Sequence, residues 1–297
     1  MSSLKSSAPM PPCPTRLRQI ALVAEDLERA RHLLTTVIGT EVIFEDPAVG
    51  QWGLKNILVP IGGDIIEVVS PSRSDTPASR QLSKRGNGGY MIIMQTLEAK
   101  ARKEHIERNQ LAKVIFCHGL EESVCIQYHP KGIKGGVIPE LDSHYHSDSH
   151  PDPLAERFSP WHAAGPPSSY STYSAGMKRH SDLHLLSTSL RLAPGDHDTS
   201  AAAKQWEQVF GIRRGKNGGG TEFTNAKLNF LPGEEGKSEG IEDIVIGVKG
   251  KERLDGIYKR ARQEGLKIDD EDRIHMLGVR WMFSWLGERD TKNKSRL

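Results

Sequence analysis

Gln127-Tyr-His-Pro-Lys-Gly-Ile-Lys-Gly-Gly-Val-Ile-Pro-Glu-Leu-Asp142 is the segment from which the architecture follows. It reads as two short strands joined by a Gly-rich turn, and it ends by setting a carboxylate, Glu140, inside a strand. A charge within a sheet is costly unless something pairs with it. The same situation occurs upstream, where Glu67 interrupts the apolar strand Asp64-Ile-Ile-Glu-Val-Val69. Two acids embedded in strands of one domain point to a shared polar cavity, holding either a metal or an acid/base pair.

Working outward, the rest of the chain repeats one unit four times: strand, amphipathic helix, then two or three strands. In the first copy Leu17–Val23 alternates as a strand, and Glu25-Asp26 supply acids for a helix start. Leu27, Ala30, Leu33, Leu34 and Val37 then form one helical stripe ended by Gly39, and strands follow at Glu41–Phe44, Asn56–Pro60 and Asp64–Val69. The second copy has strands at Tyr90–Gln95, Lys113–Cys117, Ser123–Tyr128 and Gly136–Leu141 around a polar helix, Leu97–Gln110. The third runs from Asp182–Leu190 through the helix Thr199–Phe210 to the hairpin Thr221–Leu231. The fourth runs from Ile241–Val248 through Glu252–Glu264 to Val279–Trp285. Residues 143–179, rich in Ser, Pro and His, read as an interdomain linker with one anchored point near Trp161. Residues 1–15 read as a disordered arm and 289–297 as a fraying basic tail.

Composition narrows the function classes. The 297 residues carry a formal charge of only +2, with Lys and Arg interspersed among acids, which argues against a nucleic-acid surface. No apolar run reaches membrane-spanning length, and the Ser/Pro-rich N-terminus lacks the apolar core of a secretory signal. Cys13, Cys117 and Cys125 have neither metal-type spacing nor a disulfide framework. A soluble, cytoplasmic, reduced protein is expected, with no nucleic-acid or membrane partner.

A repeated βαβββ unit with polar residues on its first and last strands resembles the vicinal oxygen chelate (glyoxalase-like) superfamily. Arg16–Ala30 looks like that family's opening strand and helix, and Gly63–Pro71 like its fourth strand. His129–Glu140 is close to the closing hairpin of the epimerase branch. The resemblance covers most of 16–142 and only the outline of 182–285. It implies an α+β fold, with two glyoxalase-like curved-sheet domains at 16–142 and 180–288, the second a degenerate copy. It implies a cavity whose inward positions correspond to Gln19, Glu67, Tyr90 and Glu140. Strand parity agrees: Gln19 shares a face with Ala21 and Val23, Glu67 with Ile65 and Val69, and Glu140 with Ile138 and Asp142. The family's histidine ligands are replaced here by Gln19 and Tyr90. Gln19, Glu67 and Glu140 would form an all-oxygen metal site, suited to Mg²⁺ or Mn²⁺ rather than Zn²⁺. Tyr90 and His129 are expected to line the substrate pocket. In the second half the matching positions are His184, Asn229, Asp243 and Met282.

The resulting expectation is a metalloenzyme acting on a small oxygenated metabolite. Metal-assisted enolate chemistry would make it an isomerase, epimerase or lyase, with Glu67 or Glu140 moving the proton. The alternatives are a metal-free binding protein of the bleomycin-resistance type and, third, a ring-cleaving dioxygenase, which needs two His and a carboxylate around iron. The assembly would be a monomer or homodimer. Asp142, His144, His146, Asp148 and His150 read as a solvated loop rather than a metal centre. Pro139, unable to donate to a ladder, places its strand at an edge or at a bend. Trp281 and Trp285 read as core.

Overall fold

A computed structural model describes residues 10–216 and 218–287. The expected tail at 289–297 and residues 1–9 of the expected arm lie outside the described residues.

The first half contains β1 (Thr15–Val23), α1 (Leu27–Leu33), β2 (Leu54–Ile61), β3 (Asp64–Pro71), α2 (Pro77–Arg85) and β4 (Gly88–Thr96). It continues with α3 (Ala99–Arg108), β5 (Val114–Gly119), β6 (Ser123–Tyr128) and β7 (Ile138–His144). Helix α4 (Tyr170–Arg179) precedes the second half, which begins with β8 (Leu183–Arg191), α5 (Thr199–Phe210), β9 (Arg213–Arg214), β10 (Gly220–Glu222) and β11 (Lys227–Leu231). It ends with β12 (Gly240–Lys249), α6 (Lys251–Gln263), β13 (Arg273–Met276) and β14 (Val279–Leu286).

The halves form two 7-stranded sheets, ordered β2-β3-β1-β4-β7-β6-β5 and β13-β14-β12-β8-β11-β10-β9. In each, the first strands of two units lie side by side and antiparallel, β1 with β4 and β8 with β12. Each first strand is parallel to the last strand of its own unit, as β1 is to β3 and β4 to β7. This is the arrangement of two curved βαβββ pairs. The second strand expected in the first unit, Glu41–Phe44, is reduced to a single bridge from Phe44 to Leu58. Gly39 ends the preceding helical stretch at φ 72°, a left-handed conformation that glycine adopts without strain.

The sheet faces divide as strand alternation requires. Leu17, Ile20 and Leu22 pack with Ala30, Leu33, Leu34 and Val37 in the helix-side core, which is continuous through both halves. Ala21, Val23, Ile65, Val69 and Ile93 lie on the concave face of the first sheet. That face is covered by the chain's own residues 145–180, the segment read as a linker. Trp161, Tyr173 and Met177 from this strap join the concave-face cluster, and Trp161 is 0% exposed.

Two β-bulges enrich the concave face. The β1–β4 ladder slips between Leu17 and Gln19, so Arg18 and Gln19 both turn inward. It slips again between Ala21 and Leu22, whose partners are Met91 and Gly89, and Tyr90 joins Met91 in the concave cluster.

Arg16 ties the strap to the sheet. Its Nε donates to Asp64 Oδ1 at 2.9 Å, and its other nitrogens donate to the carbonyls of Glu156, Arg157 and Gly63. Removing one partner of a buried ion pair costs about 3–5 kcal/mol. Arg16→Gln is therefore expected to lower stability by roughly 3 kcal/mol in urea unfolding and to speed protease cleavage near residues 150–160. An unchanged midpoint would show that the strap is held elsewhere.

Four readings are revised. Asp142 and His144 are not in a solvated loop but in β7, at 0% and 8% exposure. The β7 strand is interior, between β4 and β6; Pro139 is tolerated because the β6 ladder stops at Glu140, so no bond from residue 139 to β6 is lost. Trp281 is core, but Trp285 is 61% exposed near the end of β14. His184 and Asn229 do not converge: Asn229 pairs with Ser189, whereas His184 pairs with Gly247 nearer the other end of β8.

Candidate active site

The site is built on the four central strands of the first sheet. Glu67 projects from β3 opposite Ala21, and Glu140 from β7 opposite Ile93. Both are buried, at 8% and 5% exposure. Three strand spacings separate them along the sheet, about 14 Å if it were flat. Curvature shortens this, and the charge of Glu140 acts directly on Glu67.

Both oxygens of Glu67 are engaged. Asn56 Nδ2 donates to Oε1 at 2.7 Å and Gln19 Nε2 to Oε2 at 2.9 Å. Asn56 cannot turn over, because its Oδ1 accepts from the Asp46 N–H. Gln19 is fixed in the same way: its Oε1 accepts from Trp161 Nε1 at 2.7 Å, and an indole N–H can only donate. Burial dominates the titration of Glu67 and pushes its carboxyl up to about 7; the Asn56 amide pulls it back, the Glu140 charge adds to it, and the Gln19 amide opposes it. Glu140 is likewise raised by burial, against the donor Gln127 Nε2 at 2.7 Å.

Tyr90 is buried near Glu67. Burial first, and then the Glu67 charge, raise its phenol, so it stays protonated and able to donate. His129 closes a local turn, where the Lys131 N–H donates to its Nδ1 at 2.9 Å. Cavities of about 370 and 310 Å³ lie elsewhere, the first between the halves near Arg16 and His184, the second beside Tyr145 and His150; neither is lined by Glu67 or Glu140.

The expected metal set fits poorly here. The only ligating atom of Gln19 is its Oε1, which is capped by Trp161, and each oxygen of Glu67 already holds an amide proton. These groups form a closed hydrogen-bond chain, Trp161 to Gln19 to Glu67 with Asn56 alongside, rather than an open oxygen cradle. Asn56, Gln127 and Trp161 were not legible as site residues. Asn56 looks like a surface residue of an edge strand, and Trp161 lies far away in the chain.

No family model matches the chain. Among curated proteins it is similar to the mitochondrial methylmalonyl-CoA epimerase of Bos taurus, 30% identical over 135 residues, covering 43% of this chain and 73% of that protein. The human enzyme of the same name is 26% identical over 133 residues, covering 43% and 73%. The chain belongs to the vicinal oxygen chelate superfamily. Among solved structures, a methylmalonyl-CoA epimerase variant of Streptomyces coelicolor in complex with 2-nitronate-propionyl-CoA is 22% identical, with a TM-score of 0.40 over 44% of this chain and 98% of its own. A hypothetical protein from Staphylococcus aureus is 12% identical, with a TM-score of 0.54 over 92% of this chain and 100% of its own. That second likeness shows a fold shared across both sheets. Among the described residues no helix is long and apolar enough to cross a membrane.

Proposed function

We propose that this superfamily member is an epimerase-type enzyme that moves a proton at a carbon flanked by carbonyl groups, with a coenzyme A thioester as the substrate class. The observation that carries this reading is Glu67, a buried carboxyl poised at about 7 on the concave face within electrostatic reach of a second buried carboxyl, Glu140. A general base works best when its pKa lies near the working pH. The relatives that share this half of the chain are named for epimerisation of methylmalonyl-CoA.

In this mechanism ionised Glu67 removes the proton from the carbon, and the electron pair moves onto the thioester oxygen as an enolate. Protonated Glu140, on the opposite wall, returns a proton to the other face, so configuration inverts with no net change of atoms. Proton exchange with water resets the two carboxyls. Asn56 and Gln19 hold Glu67 in place, and the Tyr90 hydroxyl is the group suited to donate to the developing enolate oxygen. Trp161 covers Gln19, so the strap has to lift for the acyl end to enter.

The test is deuterium incorporation from heavy water into methylmalonyl-CoA, followed by mass spectrometry. Wild-type protein should incorporate label at the α-carbon, and Glu140→Gln should slow it at least tenfold. Protein that binds the thioester without exchanging label would instead favour the second reading, a metal-free binding protein. That reading is supported by the indole seated on Gln19.

A further inference from the structure

We propose that Cys125, Glu140, Asp142 and His162 form a binding site for a zinc-class divalent cation that staples the strap to β6 and β7. The site goes beyond the proton-transfer reading and can be tested without it.

The ligand atoms of these four residues all lie within 4.8 Å of one another. Cys125 projects from β6, Glu140 and Asp142 from the same face of β7, and His162 from the strap. Asp142 is 0% exposed, and its Oδ2 accepts no hydrogen bond. Among the described residues no Lys or Arg pairs with either carboxylate; the nearest basic group is His162, whose Nε2 stands 3.7 Å from Asp142 Oδ2. Two adjacent buried carboxylates without a basic partner need either a shared proton or a cation.

The state of His162 follows from its neighbours. Its backbone N–H donates to His144 Nε2 at 3.3 Å, so that nitrogen is an acceptor. His162 Nδ1 faces the same acceptor at 3.1 Å and must carry the proton. The His162 Nε2 is then bare, and its lone pair faces the orphaned oxygen of Asp142. Two acceptors 3.7 Å apart make no hydrogen bond, and they stand within a few tenths of an ångström of the spacing of a nitrogen and an oxygen on one tetrahedral zinc, about 3.3–3.5 Å. The His162–His144 bond is the outer contact that orients a metal-bound imidazole. One sulfur, one nitrogen and two oxygens select zinc over magnesium or calcium. Four protein ligands leave no open position, so the site is structural.

Full-length protein, saturated with zinc and freed of excess by gel filtration, is expected to retain about one zinc per chain by elemental analysis. Cobalt substitution should produce a thiolate-to-metal absorption band. Cys125→Ser should abolish the band, and both Cys125→Ser and His162→Ala should weaken zinc binding at least tenfold. His162 lies on the partly exposed strap, so its variant tests the site even if a change at Cys125 impairs folding. Wild-type metal content at background, meaning that the carboxyls merely share a proton, would overturn the proposal. So would undiminished binding in both variants. One consequence rests on the proton-transfer reading: zinc engages Glu140 and pins the strap, so added zinc should slow label exchange. Exchange that ignores zinc while zinc is bound would count against that reading and leave the site intact.

Discussion

Glu67→Gln is expected to lower α-proton exchange by about 10²–10⁴-fold, the usual contribution of a positioned general base. In wild-type protein the rate should rise with pH through about 7, as the buried carboxyl ionises. In the variant this inflection should vanish. Stability carries the same signature with the opposite slope. The Glu67 pKa is raised from an ordinary 4.5 to about 7, so between these values the folded state holds a proton that the unfolded chain has released. The Glu67 contribution to stability is therefore greatest below about 4.5 and falls as pH rises toward 7, by ~3 kcal/mol in all. Urea titrations from pH 4.5 to 8 should show this decline in wild-type protein and a shallower one in Glu67→Gln, where Glu140, also raised by burial, still contributes. If the kinetic inflection persists and the slope is undiminished in the variant, another group is titrating and Glu67 is not the base.

Trp161→Ala should cost about 3–5 kcal/mol, the range for removing a large aromatic side chain from a packed core. The indole is fully buried, with Arg18 over its ring at 5.3 Å and the His144 ring at 5.1 Å. Its loss also leaves Gln19 Oε1 without its donor, frees that amide to turn over, and unpins one end of the hydrogen-bond chain on Glu67. Trp161→Phe separates these effects, because it keeps most of the packing and removes the N–H. It is expected to cost about 1–2 kcal/mol, within the range for an unsatisfied buried acceptor. Urea midpoints of the two variants measure both. A cost below about 1 kcal/mol for the alanine variant would mean that the strap does not close over the sheet in solution.

Much of the concave wall could be read before folding. Strand alternation alone put Gln19 with Ala21 and Val23, Glu67 with Ile65 and Val69, and Glu140 with Asp142, because successive side chains point to opposite faces. The bulges were not legible: an extra residue in one strand depends on how its partner pairs, so Arg18 and Tyr90 could not be placed by parity. The strap was hidden for a different reason. Its polar, Pro-rich composition resembles a solvated connection, and only a few residues, Trp161, Tyr173 and Met177 among them, carry its attachment to the concave cluster.

Local pattern thus determined the repeated unit, the helix-side core and the inward direction of two carboxylates, since helix and strand periodicity act over a few neighbours. Tertiary structure alone decided what those carboxylates meet. Asn56 and Gln127 bond them from neighbouring strands, and Trp161 and His162, from a segment more than 90 residues beyond Glu67, close on Gln19 and Asp142 beside them. The ionisation of a buried acid depends on such partners and on the exclusion of water, and neither is written in the residues beside it in sequence.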